Sequence, residues 1–166
     1  MSKTVKAFGH PIHQMLIVFP LGLLATSVIF DILYFSQNEL DFATTSYYTM
    51  AAGIVGAVLA AIFGLVDWIN IPSSTRAKSV GLWHGSGNVL VTLLFLMSWY
   101  LRRPTHVPDS TTFSLSVIGV LLALVTGWLG GELVSRLGTG VDEGANPNAP
   151  SSLHAGMPAK EWRHSH

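Results

Sequence analysis

The chain has 166 residues, 49% hydrophobic and only 11% charged, with mean hydropathy +0.47 and zero formal net charge. Soluble domains carry nearer a quarter charged residues, so this composition points to a membrane protein and away from nucleic-acid binding. With no cysteine, structural disulfides, thiolate-held iron–sulfur clusters and covalent c-type haem attachment are excluded.

The opening MSKTVKAFGHPIHQM sets two lysines before an apolar run. The run is too long for a signal peptide and lacks a small-residue cleavage site, so it is expected to stay as a first span. Four apolar stretches follow one another: His13–Phe35, Ser46–Ile69, Leu82–Leu101 and Phe113–Arg136. Each matches the roughly 20 residues that cross a hydrocarbon core about 30 Å thick. The first is expected to open at His10-Pro11 and to kink at Pro20. Small residues stripe the second span (Gly53, Gly56, Ala57, Ala60, Ala61, Gly64) and the fourth (Gly127, Gly131), where helices can approach closely. Asn70-Ile71-Pro72 and Arg103-Pro104 stop the second and third spans, and Gly138 and Gly140 follow the fourth.

Short connections make consecutive helices antiparallel neighbours. The expected fold is an all-α, up-down-up-down four-helix bundle over residues 1–141, with 142–166 a flexible Gly/Asn/Pro/Ser-rich tail. Lys3, Lys6, Arg76, Lys78, Arg136, Lys160 and Arg163 flank one side, against Arg102 and Arg103 on the other. That bias favours both termini, the second connection and the tail in the cytoplasm, in a bacterial cytoplasmic membrane.

In this orientation His13, Asp67, His84 and Glu132, one from each span, lie near the cytoplasmic face. Ionisable groups inside spans usually face the bundle interior and serve a function, because lipid exposure is costly. Two chemistries fit. The first is haem b, with His13 and His84 as axial ligands from diagonally opposed helices and Asn88 nearby. Gly81, Gly85, Gly87, Gly127, Gly130 and Gly131 would clear space for the macrocycle; Trp68, Trp83 and Trp128 would line it, and Asp67 or Glu132 would accept from an imidazole. The second is an iron, manganese or zinc site drawing on His10, His13, His84, Asp67 and Glu132.

Plainer roles stand beside these. Glu132 can pair with Arg136 one turn away, Asp67 with headgroups or Arg76, and His10 can cap the first helix. Trp68, Trp83, Trp99, Trp128, Tyr34, Tyr47, Tyr48 and Tyr100 sit where aromatic belts belong. Asp31, at the opposite end of the first span, is expected to reach water. His106 has no partner in sequence. His154, His164 and His166 could bind metal adventitiously, and Trp162-Arg163-His164 could touch headgroups. No nucleophile motif, phosphate loop, dinucleotide fingerprint or HExxH is present.

Three segments, GHPIHQMLIVFPLGLL, GLVDWINIPSSTRAKSVGLWHGSGN and GWLGGELVSRLGTGV, together resemble the bacterial inner-membrane family labelled domain of unknown function 2231, over about residues 8–142. The resemblance implies four spans and no established activity, and fusions of some members to Rieske-type or c-type cytochrome domains imply a redox setting. Gln14 stands where the family commonly has proline, and Leu137 where a histidine is frequent, so a scheme needing that histidine would fail here while the His13/His84 pairing would survive.

The leading expectation is a small b-type-cytochrome-like electron carrier, not itself an enzyme, exchanging electrons with a quinone or a redox partner. One alternative is a non-enzymatic accessory subunit of a larger membrane complex or homo-oligomer, in which the polar layer locks the bundle. Another is a metal site or ion passage. Transport ranks last, because the middles VGAVLAAIFG and LSVIGVLLALVTG offer almost no polar groups.

Overall fold

A computed structural model describes residues 4–154. Lys3, Lys160, Trp162, Arg163, His164 and His166 lie outside the described residues. The chain opens with a two-stranded antiparallel ribbon, β1 (Lys6–Ala7) and β2 (His10–Pro11). Four long apolar helical rods then cross back and forth. The first rod is α1 (Ile12–Leu16) followed by α2 (Val18–Gln37); the others are α3 (Leu40–Ile69), α4 (Arg76–Leu101) and α5 (Ser110–Ser135).

The rods start and stop for local reasons. His10-Pro11, expected to begin the first helix, instead forms β2, and the helix opens one residue later with Pro11 at its N-cap. The expected kink is a break between Leu16 and Val18. Pro20 has no N–H to give the Leu16 carbonyl four residues earlier, and its ring crowds that carbonyl. The expected connection SQNELDFATT is mostly helix. Only Asn38 and Glu39 stand outside the rods, with Asn38 in the left-handed region (φ 56°) that ends helices, so α3 begins at Leu40 rather than Ser46. Thr75 caps α4 by accepting from the Lys78 N–H, which starts that rod at Arg76 rather than Leu82. Gly138 and Gly140 adopt positive φ after α5, as helix-ending glycines should.

Asp109 and Thr112 form a reciprocal capping box at the start of α5. The bond from the Thr112 backbone N–H, with a second from its hydroxyl, holds the Asp109 carboxyl below the usual aspartate range. Its stabilisation is therefore fully present above the unfolded-state value near pH 4, and is lost as pH falls from there through the lowered folded value. Asp109→Ala is expected to cost about 1 kcal/mol at pH 7, read as the shift in thermal unfolding in detergent. The gap between variant and parent should shrink at pH 3.

Packing follows small residues. A Cβ at Gly53 would stand 2.7 Å from Leu24, and one at Gly56 3.0 Å from Phe19. The first rod therefore lies tight against α3, and α4 lies equally tight against α5. The two hairpins meet more loosely through α3 against α4 and α2 against α5. Leu24, Val28, Met50, Ile54, Val91 and Phe95 form the central core. Large apolar side chains such as Ile29, Val58, Ile62, Leu93, Leu121 and Leu124 cover the outside. A helix apolar all round belongs in lipid, so the fold is an all-α membrane bundle.

Residues 138–154 turn back over the start of the chain. Lys6 pairs with Asp142, Gln14 reaches the Thr139 carbonyl, and the Ser152 hydroxyl donates to the Phe8 carbonyl.

Candidate functional site

His13 sits in α1 and His84 in α4, and their rings meet inside the bundle. The centroids are 6.2 Å apart with the planes perpendicular. Each Nδ1 is tied to a backbone carbonyl of the neighbouring rod: His13 to Ala60 at 2.9 Å, His84 to Thr126 at 2.8 Å. A carbonyl can only accept, so each Nδ1 carries its hydrogen, and the neutral form of either ring has its lone pair on Nε2. Metal-binding histidines are oriented in this way. His13 and His84 would be the residues to hold a metal ion at this site.

Glycines seat both rings. A Cβ at Gly64 would fall 2.8 Å from His13 Cε1, and one at Gly130 2.9 Å from His84 Cε1. Asn88 completes the layer. Its amide donates to the His84 carbonyl at 2.9 Å, its nitrogen lies 3.4 Å from His84 Nε2, and its oxygen accepts from the Thr126 hydroxyl at 3.1 Å. Gly87 lets Thr126 approach, since a Cβ there would lie 2.5 Å from the threonine methyl.

Other expected members go elsewhere. Gly85, Gly127 and Gly131 have nothing within 4 Å of a would-be Cβ and front open space. Gly81 makes room for Trp68, not for His84. Trp68 donates to the Lys78 carbonyl and carries the Lys78 ammonium 3.9 Å above its ring. Trp83 and Trp128 point outward, 70% and 66% exposed. Trp83 is one residue from His84, and Trp128 is two residues from Gly130 on its helix; neither offset keeps a side chain on the same face.

The carboxylates also leave the layer. Asp67 accepts from the Val5 N–H at 2.8 Å and pins the N-terminal ribbon. Glu132 pairs with Arg76 at 2.7 Å, not with Arg136. His10 lies in β2, its Nε2 3.3 Å from the Ser152 hydroxyl. The five-residue metal set therefore does not assemble, and among the described residues no three His, Asp or Glu side chains converge. Two imidazoles remain.

A second polar cluster, which the hydropathy reading missed, occupies the opposite end. Asp31, expected in water, is fully buried against the equally buried Arg102, in a bidentate pair at 2.7 and 2.8 Å. Arg102 also reaches the Ser46 and Ser116 hydroxyls at 3.3 and 3.2 Å, and Ser98 bonds Ser116 and the Thr112 carbonyl. Nearby, His106 stacks on Tyr47, with ring centroids 4.0 Å apart.

A family model described as "Predicted membrane protein (DUF2231)" matches residues 9–143, which takes in both clusters. No curated protein and no solved structure matches the chain significantly.

Proposed function

The chain belongs to the DUF2231 family of predicted membrane proteins, and on that premise we propose that it is a small membrane redox protein, holding haem b between His13 and His84. The observation that carries this reading is the pair of imidazoles with anchored Nδ1 atoms, their ring centroids 6.2 Å apart between the first and third rods. The donor set fits a haem, whose iron His13 and His84 would hold. The loose contact between the two hairpins is where a flat macrocycle has least packing to displace. When bound, the haem supplies one-electron redox chemistry.

The chain's own residues do the rest. Ala60 and Thr126 carbonyls fix the tautomer and raise the basicity of both rings. Gly64 and Gly130 set ring position by contact, and the lipid-facing aliphatic shell excludes water, which tunes a redox potential. Because lipid surrounds the site, its electron partner is a quinone or a membrane-bound redox protein. With most of the lysines and arginines assigned to the cytoplasmic side, against Arg102 and Arg103 on the other, the imidazole layer lies toward the cytoplasm of a bacterial inner membrane.

A second reading has its own support. The buried Asp31–Arg102 pair shows that this chain uses polar groups to hold helices together, so the imidazole layer could serve the same end in an accessory subunit. One measurement separates the two. Protein extracted from membranes should give a reduced-minus-oxidised haem spectrum at one haem per chain. Colourless protein, still colourless after incubation with haemin, would end the redox reading and favour the accessory one.

A further inference from the structure

The polar clusters at the two ends are related by number. His13 and His84 differ by 71 residues, and so do Asp31 and Arg102. The same offset joins core residues Leu24 and Phe95, and the buried serines Ser27 and Ser98. On the second rod of each hairpin the shared offset is 66 residues. It relates Ala60 to Thr126, the two carbonyls that hold the imidazoles, and Gly64 to Gly130, the two glycines under the rings. It also relates Gly53 to Gly119, and each would place a Cβ 2.7 Å from the matching core side chain, Leu24 or Phe95. Every buried position of α5 falls 66 residues after a buried position of α3.

We infer that the chain is two copies of one helical hairpin around a pseudo-two-fold axis, and that Asp31 and Arg102 are positioning residues that hold the His13–His84 site on that axis. Equivalent side chains can touch only where the axis passes, and both pairs do so. On each rod the charged residue lies eighteen positions beyond the histidine. On the unbroken third rod that is five turns, so His84 and Arg102 project from the same face about 27 Å apart. The first and third rods, which carry the ligands, are thus joined at both ends. Sliding or rotating one against the other would separate the imidazoles and the ion pair together. Opposite charges at equivalent positions also specify the partner: two identical first hairpins would oppose Asp to Asp, and two second hairpins Arg to Arg.

The positioning role rests on the reading of His13 and His84 as a ligand pair, but its test does not need the cofactor. The full chain has no cysteine, so Val18→Cys and Val89→Cys, at outward-facing equivalent positions of the first and third rods, accept spin labels alone. Pulsed electron resonance should give one narrow distance in the parent. Asp31→Leu with Arg102→Leu removes the charges without orphaning either, and should broaden that distribution to about twice its width or more. Asp31→Arg with Arg102→Asp should restore it. An unchanged distribution in the apolar pair, or a swap that behaves like it, would overturn the inference. Haem content measured on the same samples keeps the two readings apart. Haem absent from the parent with these distance changes intact removes the redox reading alone.

Discussion

Asp31→Ala is expected to cost about 3–5 kcal/mol of stability, the largest loss of any single change considered for this chain. Both partners of the pair are fully buried, and the guanidinium has no water to fall back on. Removing the carboxylate leaves Arg102 with the Ser46 and Ser116 hydroxyls, neutral acceptors at 3.3 and 3.2 Å. Its Nε already lacks a partner among the described residues. An unpaired buried charge loses its Coulomb partner and regains no hydration, which is why one-sided truncation costs more than removing both groups. The exposed-side pair provides the control. Arg76 is largely exposed, so neutralising Glu132 should cost no more than about 1 kcal/mol. Denaturant titration in detergent, followed by far-ultraviolet circular dichroism, measures both. A loss below about 1 kcal/mol for Asp31→Ala would show that the carboxylate is not what satisfies Arg102.

His84→Ala and His13→Ala should each abolish the haem spectrum while leaving the bundle folded. Among the described residues no third His, Asp or Glu joins the two imidazoles, so loss of either would leave a single imidazole to hold the iron. Neither ring carries the packing of the core, which is centred on Met50 and Phe95 farther along the rods. A subtler change tests the orientation itself. Gly130→Ala keeps both ligands but puts a methyl 2.9 Å from His84 Cε1, and the ring must move off the Thr126 carbonyl to admit it. Displacing an orienting partner typically weakens metal retention about 10- to 100-fold, so haem content should fall steeply. Full haem retention in Gly130→Ala would mean that the ring position seen here is not the ligating one.

The spans were legible because lipid leaves little choice: long apolar runs become helices whatever their detailed sequence. Their ends were not. Asn38 could turn the chain within two residues, so the polar stretch after it continued as helix instead of forming a loop. The meeting of His13 with His84 followed from antiparallel rods and from depth. Carboxylate placement did not, because hydropathy gives depth and not direction. Asp67 and Glu132 lie near the histidines in depth yet turn to a backbone N–H and to Arg76. A helical-wheel count from His84 and Gly130 would have sent Trp83 and Trp128 outward. The Asp31–Arg102 pair was hidden because the two residues read as a span end and a loop. Only the recurring 71-residue offset, carried also by the histidines, marks them as partners.

That separation has a consequence for how the protein is made. Asp31 leaves the ribosome 71 residues before the cation that will neutralise it. The first hairpin on its own therefore carries an acid without its cation, and burying it unpaired would be costly. Neither half can satisfy its own buried charge, so each hairpin depends on the other for its stability in the membrane.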